Sequence, residues 1–116
     1  MARKKADKQT IKHKGKDYEL VFNLNVMEEI QEEYGSVEAW GELLEGTDEP
    51  KAKDVKFGFT EMLNEGIDIY NEEHEDKRDF LTPKQVGRIL SEIGLEEVAK
   101  KLRETVVENT KSDEKN

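Results

Sequence analysis

The sequence predicts a mainly α protein of α+β type, in which an N-terminal two-stranded β-hairpin packs on a bundle of about five helices. Three observations lead there. Apolar residues alternate only near the N-terminus, at Tyr18, Leu20, Phe22 and Leu24, as in a strand with one buried face. From there on they recur at spacings of three and four, the period of a helix face. Glycines and capping residues divide that helical region into short stretches. A chain of 116 residues holds one core and is too short for two. A single domain is expected over residues 10–108, between a disordered basic arm at 1–9 and a disordered polar tail at 109–116.

In the hairpin, Thr10-Ile11-Lys12-His13 and the run from Tyr18 to Leu24 flank Gly15, which supplies the positive φ of a tight turn. An isolated hairpin is marginal in water, so its apolar face must lie on helices. Asn25 reads as the N-cap of the first helix, with Glu28 completing a capping box, a stripe of Met27, Ile30 and Tyr34, and Gly35 as the stop. Ser36 caps a short second helix carrying Val37, Trp40, Leu43 and Leu44, and Gly46 to Pro50 form a loop. The longest pattern runs from about Ala52 to Glu73, with Val55, Phe59, Met62, Leu63, Gly66, Ile67 and Tyr70 at helical spacing. Gly58 and Gly66 each cost this central helix about 1 kcal/mol relative to alanine, which close approach of another backbone would explain. After a charged connector, Thr82-Pro83-Lys84-Gln85 is a capping box with proline at the first helical position. The fourth helix buries Val86, Ile89, Leu90 and Ile93 and stops at Gly94, and the fifth carries Val98, Ala99, Leu102 and Val106.

Composition narrows function. Without cysteine there is no disulfide framework, thiolate chemistry or thiol metal site, which suits a reducing cytoplasm. No apolar run is long enough to span a bilayer, and lysines replace the apolar core that a signal peptide needs after its basic start. The net charge of −9 is uneven: residues 1–16 hold seven Lys/Arg against one Asp, and the remainder twelve against twenty-seven Asp/Glu. An acidic body repels phosphate. The paired helices from Thr82 to Leu102 could suggest a helix-turn-helix, but Glu96 and Glu97 occupy the end that would approach DNA, so no nucleic-acid role is expected.

No catalytic or metal site, and no cofactor, is expected. His74 lies among carboxylates and amides, yet the order matches no calcium loop and no further zinc ligands stand nearby. Carboxylate runs such as Glu28-Glu29 and Glu32-Glu33 face solvent if the apolar stripes face inward. The serines lack a nucleophile-elbow setting, and the glycines form no phosphate-binding loop. What remains is apolar surplus. Phe57 and Ile69 fall off the central stripe, Val107 stands beside Val106, and Trp40 and Tyr70 add aromatic surface. Trp40, Phe57, Ile69, Tyr70 and Val107 are therefore the candidate partner-binding residues, against the plainer reading that aromatics at helical spacing fill a core.

In order, the elements include Phe22-Asn23-Leu24-Asn25, Glu28-Glu29-Ile30-Gln31-Glu32-Glu33-Tyr34-Gly35, Met62-Leu63-Asn64-Glu65-Gly66 and Leu81-Thr82-Pro83-Lys84-Gln85-Val86-Gly87-Arg88-Ile89-Leu90. This succession resembles the small tail assembly chaperones of long-tailed bacteriophages and prophages, including those related to gene-transfer-agent tail proteins, over roughly residues 17–107. Asn25, Gly35, Gly66, Thr82 and Gly87 match as caps, turns and close contacts. The resemblance implies a non-enzymatic protein of the host bacterial cytoplasm that binds apolar helical segments of the tape measure protein and is absent from the finished particle. A frameshifted longer form in that family recruits the tail tube protein, and this chain would correspond to the short form. A structural head-tail or tail component retained in the virion is the alternative expectation. A host regulatory adaptor or antitoxin is the third.

Overall fold

The computed structural model describes residues 9–45 and 50–115, with side chains placed through residue 109. The basic arm at 1–8 and most of the Gly46–Pro50 loop lie outside the described residues. The order is β1 (Thr10–His13), β2 (Lys16–Glu19), α1 (Leu24–Tyr34), α2 (Val37–Glu45), α3 (Ala52–Glu73), α4 (Pro83–Ile93) and α5 (Leu95–Lys115). The expected hairpin on five helices is what the described chain forms.

Strands β1 and β2 pair antiparallel, with Ile11 opposite Tyr18 and His13 opposite Lys16. Lys14 and Gly15, at φ 52° and 78°, make the two-residue turn whose positive dihedrals match strand twist. Leu20 N–H donates to the Gln9 carbonyl at 2.9 Å, and Val21 N–H then donates to the Met62 carbonyl of α3 at 3.3 Å. The strand therefore leaves its partner and docks on the central helix. Leu20 and Phe22 are buried as the alternation required, but Leu24 is 75% exposed, because it opens α1 instead of closing the strand.

The cap of α1 is also displaced from the sequence reading. Asn23 is the N-cap, accepting from Val26 N–H at 3.3 Å, whereas Asn25 lies inside the helix. Both asparagines donate through Nδ2 to Glu65 of α3, at 2.8 and 3.1 Å. Gly35 ends α1 at φ 91°. Ser36 Oγ accepts from Ala39 N–H at 3.0 Å and caps α2 as expected. The box at α4 is complete, with Thr82 and Gln85 each accepting from the other's backbone N–H. Thr82→Ala is expected to cost about 1 kcal/mol, measurable as a lower urea midpoint with unchanged slope.

The core lies around α3, which packs against β2 and all four other helices. Val55, Phe59, Met62 and Leu63 are fully buried along it, joined by Ile30 and Val26 from α1, Val86 and Ile89 from α4, and Val98 and Leu102 from α5. Two glycines let neighbours approach. A Cβ on Gly58 would collide with the six-membered ring of Trp40, and one on Gly66 with the backbone carbonyl of Glu19. The backbone approach expected of both therefore holds at Gly66. At Gly58 the neighbour is an indole.

Helix α5 continues to Lys115, past the point near Asn109 where a polar tail was expected. Its residues contain no glycine or proline to stop it, and polarity alone ends burial, not helix. Thr105, 4% exposed, satisfies its hydroxyl by donating to the Lys101 carbonyl at 2.8 Å.

Candidate functional site

The five residues singled out as apolar surplus separate in the fold. Trp40 is 1% exposed, with its indole N–H donating to the Asp54 carbonyl at 3.1 Å, so it is core and not partner surface. Phe57 is half-buried against the core and meets Tyr34 edge-on, ring centroids 5.5 Å apart. Val107 stands 55% exposed on α5, and Leu43, Phe80 and Leu24 are also exposed on other segments. Single exposed apolar side chains of this kind are ordinary on a protein surface. The fold brings only Ile69 and Tyr70 into one cleft.

That cleft, of about 560 Å³, lies between β2 and the C-terminal half of α3, with Val21, Gly66 and Ile67 among its walls. Polar contacts line much of it. The Tyr70 ring stacks on His74 at 3.8 Å, and the Arg78 guanidinium sits 4.0 Å from the Tyr70 centroid and 5.1 Å from that of Tyr18. Arg78 also donates to the Asp17 carbonyl at 3.0 Å, tying hairpin to connector. The Tyr70 hydroxyl donates to Asp76 at 3.0 Å, which raises the phenol's pKa and lowers that of the carboxyl. His74, the one residue that invited a metal reading, is spent on this stack, and no metal-holding cluster occurs among the described residues.

The connector itself is strapped to α3 by two asparagines that the sequence reading did not single out. Asn64 accepts from Leu81 N–H and donates to Leu81 C=O, at 2.8 and 2.9 Å, and Asn71 does the same for Arg78, at 2.8 and 3.0 Å. Seven residues of helix rise about 10 Å, and three residues of extended chain span about 10 Å, so the two amides meet backbone positions three apart. An i, i+7 pair of asparagines is the signal that could have revealed the strap.

Buried carboxylate chemistry is present but structural. The runs Glu28-Glu29 and Glu32-Glu33 are exposed as expected, whereas Asp54, which the sequence did not single out, is 4% exposed and accepts from the Tyr34 hydroxyl at 2.7 Å. Burial chiefly, and then that hydrogen bond, push the Tyr34 pKa well up. A phenol kept neutral by folding stabilises the protein fully below its ordinary range, and that contribution is lost as pH rises from about 10 upward. On the same face of the bundle Glu61 is raised by burial first, then by Glu29 and Glu65.

A second groove, of about 470 Å³, opens between the first turns of α3 and the face of α4. Its floor is Ala52, Leu90 and Leu95, its α4 wall is Gly87, Ser91 and Gly94, and Lys53 and Lys56 stand on the α3 side. Among the described residues, no carboxylate lines it. Gly94 is held at φ 113° as the stop of α4, but Gly87 is ordinary helix. A Cβ there would meet only the Lys56 side chain, at an ordinary 3.5 Å. Nothing inside the chain therefore requires glycine at 87. Gly87→Ala is expected to raise stability by about 0.5–1 kcal/mol, read as a higher urea midpoint. No protein-family model matches the chain, and comparison with curated proteins and with solved structures gives no match.

Proposed function

We propose that this protein is a non-enzymatic tail assembly chaperone of a phage or prophage, holding apolar helical segments of the tape measure protein in the host cytoplasm until tube subunits enclose them. The observation that carries this reading is the open groove beside the central helix, with its floor of Ala52, Leu90 and Leu95. Its shape suits the helix-in-groove mode, in which an amphipathic helix lays its apolar ridge between two others. The succession of caps and stripes that resembles the tail chaperones supports the same reading. A net charge of −9 would keep a loaded complex soluble. No helix among the described residues is long and apolar enough to cross a membrane.

Coexpression with the tape measure protein from the same genome tests it. The partner should become soluble and co-elute with this chain, and mass spectrometry of purified particles should not find the chain. A partner no more soluble than when expressed alone, with no complex on the column, overturns the reading. Recovery of the chain from washed particles would favour a retained tail component instead.

A further inference from the structure

The same groove carries a charge pattern that the fold does not explain. The chain has 28 Asp/Glu against 19 Lys/Arg, yet among the described residues the charged side chains lining this groove are Lys53 and Lys56. Like charges three residues apart on a helix repel, and cations near a helix N-terminus oppose its dipole. Both effects work against the stability of α3. Neither lysine makes an ion pair or side-chain hydrogen bond among the described residues, although Lys56 is half-buried. Lys56 instead lies along α4, its Cδ and Nζ 3.5 and 3.7 Å from where a Cβ of Gly87 would stand. Lys84 lies on the same stripe of α4, one turn before Gly87. Among the described residues, Glu92 and Glu96 are exposed next to the groove residues Ser91 and Leu95 in sequence and do not line it, and Asp54, next to Lys53, is buried against Tyr34.

Resting on the chaperone reading, we infer that the groove selects a partner helix whose apolar ridge is flanked by carboxylates. The α4 wall from Gly87 to Gly94 spans about 10 Å, enough for two turns of the partner. Its ridge seats on Leu90 and Leu95, beside the Lys56 stem that lies over Gly87. Its Asp or Glu side chains pair with Lys53 and Lys56, which attract anions on a chain that is acidic as a whole. Segments flanked by lysine or arginine are rejected by the same two charges.

Two labelled synthetic peptides about 15 residues long, with one leucine-alanine ridge and either glutamate or lysine flanks, test this by fluorescence anisotropy with the full chain. The glutamate peptide is expected to bind about tenfold tighter, with the difference shrinking between about 0.05 and 0.5 M salt. The double variant Lys53→Glu/Lys56→Glu should reverse the preference with a melting temperature no lower than the parent's, since carboxylates suit the start of a helix. Gly87→Leu should weaken both peptides without loss of fold. Equal affinities, no binding of either peptide, or a glutamate complex indifferent to the double variant each overturn the inference. A tape measure complex that forms while the peptides are not discriminated sinks this inference alone. A discriminating groove in a chain that leaves the tape measure protein insoluble sinks the chaperone reading alone.

Discussion

Trp40→Ala is expected to lower the unfolding free energy by about 3–5 kcal/mol, the range for truncating a large buried aromatic. Trp40 is 1% exposed, its ring fills the space over Gly58, and its N–H satisfies the Asp54 carbonyl, so three losses coincide: apolar burial, packing and a buried hydrogen bond. Because it is the chain's one tryptophan, urea unfolding must be followed by circular dichroism. A typical domain has about 5–15 kcal/mol in total, so this one substitution removes a large share of it. The pairing with Gly58 makes a sharper test. Gly58→Ala alone should destabilise by about 1–3 kcal/mol, because its Cβ runs into the indole. In the Trp40→Ala background the same change should become favourable, since only the helix-propensity gain of about 1 kcal/mol is left. Simple additivity of the two substitutions would show that the indole does not lie over Gly58.

Gly66→Ala should cost about 1–3 kcal/mol although it improves helix propensity, because the obstacle is the backbone carbonyl of Glu19, which cannot rotate aside. Moving the hairpin would also break the hydrogen bond from Val21 N–H to the Met62 carbonyl, one turn earlier on α3. Hydrogen exchange should therefore quicken at the amides of Leu20 and Val21 while α4 and α5 keep their protection. Gly87→Ala is the matched control: the same chemical change in another helix, with the opposite sign expected. A Gly66→Ala variant as stable as the parent would mean that the hairpin does not dock at this point.

Much of the fold was legible because its signals are local. The Thr82-Pro83-Lys84-Gln85 box, the stops at Gly35 and Gly94 and the stripe from Val55 to Ile67 each act within one or two turns, and each falls where it was expected. The errors arose where two local signals competed. Asn23 and Asn25 are equally good caps by type, and the choice went to Asn23 once Glu65 of α3 could bond both side chains. Leu24 continued the strand alternation in sequence, yet the early cap placed it in the first turn of α1, facing solvent.

The candidate site was less legible, because apolar surplus carries no address. Trp40 and Phe57 turned inward, Tyr70 joined the Arg78 and His74 stack, and Val107 stayed exposed on α5. Of the groove residues, Leu90 reads in the sequence as plain core and Ala52 as a helix start, and nothing local marks Lys53, Lys56 or Leu95 as their neighbours.

By itself the amino-acid sequence determined the number, order and approximate ends of the helices, the hairpin and the acidic character of the body, because periodicity, capping and charge are properties of neighbours along the chain. Tertiary structure alone decided which cap was used, that Asp54 is buried against Tyr34, that Asn64 and Asn71 strap the connector, and that Lys56 lies over Gly87 in a groove that Lys53 also lines. Those outcomes depend on which faces of distant helices meet, and that follows from packing the whole set of side chains at once.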